Sequence, residues 1–310
     1  MILSDNINRE LWLKFTHHHM GIILKKSNDI AAKIEIKNNK QKIVYKMHVL
    51  NEISFNFMFN TIEIIGVREI SLINRAIYES VINMILLYYG NKEKSLERYE
   101  DYSKLNSLFL VMNPYELDGD FNIIMSVFDE VEARKTYSNM VKKYNEKYVL
   151  KEKTKNREWC LKGLFQKTKI IEEYNIFPEF FRQEKYLKNM YTYFCGWGNQ
   201  FIHPSPMAIE YCLSEDVTVS STGEDIQLTQ DFKYAYLVLS MILSIMWTDL
   251  YIISDMLNNR DELEQIKKNI EDINQIYRDA AANIDISKRV NDFIEKTGDV
   301  LPRHLYKKMK

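Results

Sequence analysis

The chain has 310 residues, enough to bury a full core, and nine Gly with five Pro are too few to punctuate a many-stranded β-sandwich. Lys and Arg number 42 against 43 Asp and Glu, a formal charge of -1, which excludes a global field toward nucleic acid or membrane and confines any RNA contact to a local patch. Cys160, Cys195 and Cys212 are odd in number, widely spaced and without a Cys-x-x-Cys pair, so a disulfide framework and a zinc knuckle are excluded and a reducing cytoplasm fits.

The first residues, Met1-Ile2-Leu3-Ser4-Asp5, lack the basic region and apolar run of a signal peptide. Residues 5–40 read as two short helices joined by a Lys- and Asn-rich connection, and 1–46 is expected to be an N-terminal helical appendage. Within it, His17-His18-His19 resembles a metal tract, yet consecutive helical residues point in different directions and cannot converge on one ion. Apolar residues recur at helical spacing from Met47 to Gly66, and Arg68–Tyr89 continues as a strongly apolar helix that stops at Gly90-Asn91, a C-terminal cap pair. Lys92–Met112 then returns as a helix rich in charge and Tyr, which predicts an antiparallel hairpin with the preceding helix.

After the loop at 113–120, Phe121–Tyr148 predicts a long, exposed amphipathic helix, and 151–157 a flexible connector or frayed helix end. Trp159–Tyr174 and Arg182–His203 are the next helices, separated by Asn175-Ile176-Phe177-Pro178. Val217–Ser221 is the one strand-like piece, a short β-hairpin arm or a loop. Leu228–Leu257 and Arg260–Ala282 complete a core over 47–283, and 284–310 forms a last helix over Ile286–Lys296 and a basic tail. Tyr234–Ser254 could span a bilayer by length, with Asp249 its single charge, but its four Tyr or Trp, three Ser and missing basic flank beyond Lys233 favour a buried core helix. No membrane association is expected.

Polar chemistry concentrates at Gly198-Asn199-Gln200-Phe201-Ile202-His203-Pro204. Asn199 and His203 stand four apart, so amide and imidazole project from one helical face before Pro204 ends the helix. The plainer alternative is that His203 caps its own last carbonyls. Lys188, Thr192 and Gly196 fall on the same face at α-helical spacing, while Tyr193 and Trp197 flank it as candidate stacking residues or as core. On the earlier helix, Arg68, Leu72, Arg75 and Glu79 form one stripe, in which Arg75 pairs with Glu79 either structurally or to present its fork to a phosphate. No zinc cluster, glycine-rich phosphate loop or nucleophile elbow occurs, so no metal and no cofactor is expected.

On Arg75-Ala76-Ile77-Tyr78-Glu79 and on Tyr193 through His203-Pro204-Ser205, residues 68–89 and 186–207 resemble a bacterial domain-of-unknown-function family within the HEPN-like all-α superfamily. The resemblance implies a mainly α, HEPN-like multi-helix bundle, with the two His-bearing helices of a homodimer across a twofold axis. It also implies a toxin or anti-phage defence effector that cleaves RNA without metal, with a cognate antitoxin or defence-system protein as a partner. Carried over residue by residue, His203 matches the catalytic base and Asn199 the polar position, but Gly198 stands where the family has Arg. Arg75, paired to Glu79, or Arg68 would then have to supply the missing cation, with Lys188, Tyr193 and Trp197 as RNA contacts. The other reading of the same cluster is a non-catalytic binding or scaffold module.

Overall fold

A computed structural model describes residues 9–61, 67–90, 93–112, 130–148, 163–182, 186–197, 232–282 and 285–297. Among them are eleven α-helices and no strand, which makes the protein a mainly α multi-helix bundle. The helices are α1 (Arg9–Ala31), α2 (Asn39–Thr61), α3 (Val67–Tyr88), α4 (Glu93–Met112), α5 (Glu130–Lys147) and α6 (Leu164–Glu173). They continue with α7 (Glu179–Arg182), α8 (Tyr186–Tyr191), α9 (Phe232–Met256), α10 (Arg260–Ala281) and α11 (Ser287–Thr297), and α8 runs on into a π-helical turn, Thr192–Trp197. The strand-like 217–221, the connector 151–157 and the basic tail lie outside the described residues.

Asparagine and glycine set many of the helix ends. Asn38 Oδ1 accepts the Gln41 N–H (2.9 Å) to cap α2, and Asn259 Oδ1 accepts the Glu262 N–H (3.2 Å) to cap α10. Asn175 and Asn258 take the left-handed conformation (φ 54° and 52°) just after α6 and α9, where a short polar side chain tolerates it. α3 stops at Gly90 as its sequence implies: a Cβ there would lie 2.0 Å from the Leu86 carbonyl oxygen.

The core forms around α9, which packs on α1, α2, α3 and α10. Residues 242–254 of α9 are buried without interruption, as expected for the apolar segment 234–254. Arg68–Tyr88 is also long and apolar enough to cross a membrane, but 61% of its apolar window is buried inside the protein, as in a core helix. Two corrections concern the sequence reading. In place of two short helices over 5–40 there is one 23-residue helix, α1, and it is no appendage. Residues 15–21 are buried on every side, and Trp12, Phe15, Met20 and Ile23 share one hydrophobic cluster with α2, α3 and α9. Nor do α3 and α4 form a hairpin: α4 pairs with α5. There Lys147 Nζ reaches Glu97 (2.6 Å) and Asp101 (2.7 Å), and Arg98 Nε donates to the Tyr144 hydroxyl (3.1 Å).

A polar network crosses the middle of this core. His48 Nδ1 donates to Asp249 Oδ1 (2.7 Å), Asn51 Nδ2 donates to Asp249 Oδ2 (2.7 Å), and His48 Nε2 meets Ser27 Oγ (3.0 Å). Asn51 also approaches Met84 Sδ (3.5 Å), so α1, α2, α3 and α9 all meet here. Burial opposes charge on His48, but the charge and hydrogen bond of Asp249, with Glu52 adding, outweigh it and raise its pKa. Asp249 thus favours the protonated form of His48 in the core.

Asp249→Ala leaves His48 and Asn51 without their shared acceptor, and the expected loss is about 3–5 kcal/mol of unfolding free energy in urea titration. A loss under about 1 kcal/mol would show that the pair does not hold the helices together.

The pH dependence follows from two buried histidines. His48 gains proton affinity on folding, so its contribution is complete below its ordinary value of 6.5 and is lost as pH rises through the raised folded value. For His19, burial first and then His18 lower the pKa well below 6.5, so its contribution is complete above 6.5 and is lost as pH falls. Unfolding free energies measured across this range should show both limbs, with His48→Ala flattening the alkaline limb and His19→Phe the acidic one.

Candidate functional site

α3 is apolar on the face turned to α9 and polar on the other, which brings one edge of the helix against α6, α8 and the π turn. Tyr78 fastens that edge. It is fully buried, its hydroxyl donates to the Leu187 carbonyl (2.8 Å), and the same oxygen lies 2.9 Å from Thr168 Oγ1. Burial raises the Tyr78 pKa far above the ordinary phenol value, so the group stays a neutral donor. Tyr186 does the same between α8 and α9, donating to the Ser244 carbonyl (2.9 Å) with its pKa pushed up to about 12 by burial. α8 is thus positioned by two buried hydroxyls.

One helical turn beyond Tyr191, Cys195 is buried against α3. Burial pushes its thiol up to about 11, with Arg75 pulling down and Glu79 pushing up, so both charged residues of α3 lie within electrostatic range of the sulfur. Arg75 and Glu79 are half-buried, as their stripe implies, whereas Arg68, two turns nearer the start of α3, is exposed. Lys188 is also exposed on α8, where its backbone N–H donates to Glu172 Oε1 (2.9 Å). Tyr193 turns elsewhere and lines a groove of about 550 Å³ between α7–α8 and α10–α11, with Phe180, Met190, Arg278 and Arg289. Asn199, His203 and Gly198 lie outside the described residues, as does the side chain of Trp197.

The π turn, Thr192–Trp197, interrupts the α-helical spacing by which Lys188, Thr192 and Gly196 were expected to share a face, because a π turn accommodates one extra residue. Thr192 opens the turn, and its Oγ1 donates back to the Lys188 carbonyl (3.3 Å). Gly196 is not demanded by close packing: a Cβ there would meet only Thr192 Cγ2, at 3.9 Å.

Two arrangements were not foreseen from the sequence. Ser27, His48 and Asp249 stand in the hydrogen-bond order of a nucleophilic triad, but all three are fully buried, so no substrate has access to them. Their separations of 21 and 201 residues leave no local motif to read. The tract His17-His18-His19 is buried in the core, where His19 stacks on Phe293 (4.0 Å, 11°) and His17 lies against Phe59 (4.5 Å). Among the described residues no group of three or more His, Cys, Asp or Glu could hold a metal ion.

Residues 67–218 match the model of DUF5677, a family of unknown function. That segment begins with α3 and extends past the π turn through Asn199 and His203. No curated protein and no solved structure matches the chain.

Cys195 should resist iodoacetamide at pH 8 in the folded protein and react once the protein is unfolded in urea, as followed by peptide mass mapping. Rapid labelling of the folded protein would contradict a thiol buried beside Arg75 and Glu79.

Proposed function

We propose that the protein is an RNA-directed effector of the HEPN-like kind, cleaving RNA without metal, with His203 as general base and Asn199 orienting the substrate. Arg75, held by Glu79, supplies the cation that Gly198 cannot. The observation that supports this reading is the meeting of α3 with the π turn: Arg75 and Glu79 lie within electrostatic range of Cys195, in the turn that precedes the Asn199–His203 segment in the chain. Two further points agree. π turns cost helical stability and recur at functional sites, and both halves of the proposed site fall inside the matched segment 67–218.

In this reading a guanidinium opposite the base holds the scissile phosphate and stabilises its developing charge, while His203 takes the proton of the attacking ribose hydroxyl. Arg68 and Lys188 are exposed and extend the cationic surface toward flanking phosphates. Trp197 is the candidate stacking residue, while Tyr193, which lines the groove beside α10 and α11, is the more remote one. The protein works in the cytoplasm, as a homodimer, in a toxin or phage-defence setting with a cognate partner. Gly198 favours a second reading, a non-catalytic HEPN-like module that holds a ligand or partner on the same surface.

The deciding experiment incubates purified protein with total RNA in the presence of EDTA. Cleavage is expected, with His203→Ala and Arg75→Ala each lowering the rate by roughly 100-fold or more. Cleavage unchanged by either substitution would end this site assignment, and RNA left intact but bound would favour the module reading.

A further inference from the structure

The inner side of α2 is covered by α1, α3 and α9, through Val44, Met47, His48, Asn51, Phe55 and Met58. Its outer side is not what a solvated helix face should be. Leu50, Ile53 and Phe57 are 64%, 61% and 54% exposed, and their spacing of three and four residues places them on one stripe. Single exposed apolar side chains are ordinary on a protein surface, but three large ones in a row on one helix mark a contact surface. The stripe continues through Lys42 and Lys46 toward the start of α2 and through Asn56 and Asn60 toward its end, all exposed.

We propose that this face docks against the same face of a second copy of the chain, the two α2 helices antiparallel about a twofold axis at Ile53. The numbering of the stripe is self-complementary in that arrangement. Lys46 and Asn60 each stand seven residues from Ile53, about 10 Å along the helix in opposite directions. Ile53 then meets Ile53 of the second copy, Leu50 meets Phe57, and Lys46 meets Asn60.

Charge favours the same pairing. Lys46 of one copy reaches the C-terminal end of the other α2, the negative pole of the helix dipole. Asn60 donates its amide to the Asn56 carbonyl (2.8 Å) and to Asn56 Oδ1 (3.1 Å), which keeps its own side-chain oxygen as an acceptor for the incoming ammonium. A parallel arrangement would instead set Lys46 against Lys46. Size agrees as well: three side chains more than half exposed present on the order of 300 Å² of apolar surface. That suits the apolar centre of a contact burying about 800 Å² on each partner, with the lysine stems and asparagines as its rim.

This contact places the twofold axis of the homodimer on α2 rather than between the His-bearing helices, and because it involves neither α3 nor the His203 segment its test is independent of the RNA-cleavage assay. Sedimentation equilibrium of the full chain up to about 100 μM should show a dimer. Ile53→Glu should weaken it at least about tenfold without changing the helical circular dichroism, because the side chain is exposed in the single chain. Lys46→Glu and Asn60→Lys should each weaken the dimer, and the two together should restore it, since an antiparallel contact sets the new Glu against the new Lys. A chain monomeric throughout, a dimer indifferent to Ile53→Glu, or a double variant no tighter than the singles would overturn the proposal.

Discussion

The pairing of His48 with Asp249 is the constraint on which the arrangement of helices depends. A buried Asp and a buried His are each costly without a partner, and each satisfies the other only in a narrow geometry. Apolar contacts among Ile, Leu, Met and Phe are tolerant of sliding and rotation, so a core built from them alone would hold α1, α2 and α9 loosely in register. The network removes that freedom: Asp249 of α9 accepts from His48 and Asn51 of α2, His48 reaches Ser27 of α1, and Asn51 touches Met84 of α3. One buried hydrogen-bonded network therefore fixes four helices.

The consequence for function runs through α3. Its inner side is held by α2 and α9, and its opposite edge is tied through Tyr78 to Thr168 and Leu187. Between those two anchors Arg75 and Glu79 have little choice of position, and they come to the turn that carries Cys195. The segment matched by the family model, 67–218, contains this edge but not the helices that brace it. α1, α2 and α9 lie outside it and supply much of the core, including Phe15, Phe55 and Trp247, so the matched segment is not a separate folding unit.

Much of the helical architecture was legible in the sequence because its signals are local. Scarce glycine and proline, the stop at Gly90 and the charged starts and ends of α10 are read within one turn of the chain. What was not legible depends on contacts far apart in sequence. α1 looks like a polar appendage because its Lys and Asn residues cluster after residue 24, while the centre of the helix, from Phe15 to Gly21, is sealed by partners more than 20 residues away. α4 looks like the return arm of α3, yet its Arg98, Glu97 and Asp101 bond to Tyr144 and Lys147 of α5. At the candidate site, Arg75 and Glu79 were identified by their stripe, but the π turn was invisible, since TYFCGW fits α-helical periodicity as well as π geometry.

The central functional claim is that α3 and the His203 segment serve one reaction centre. A double-mutant cycle on metal-independent RNA cleavage tests it most directly, with rates for Arg75→Ala, His203→Ala and the two combined. Residues acting on one phosphate fail together, so the combined variant should be no slower than the worse single variant. Effects that multiply, or a rate indifferent to either change, would contradict a shared centre.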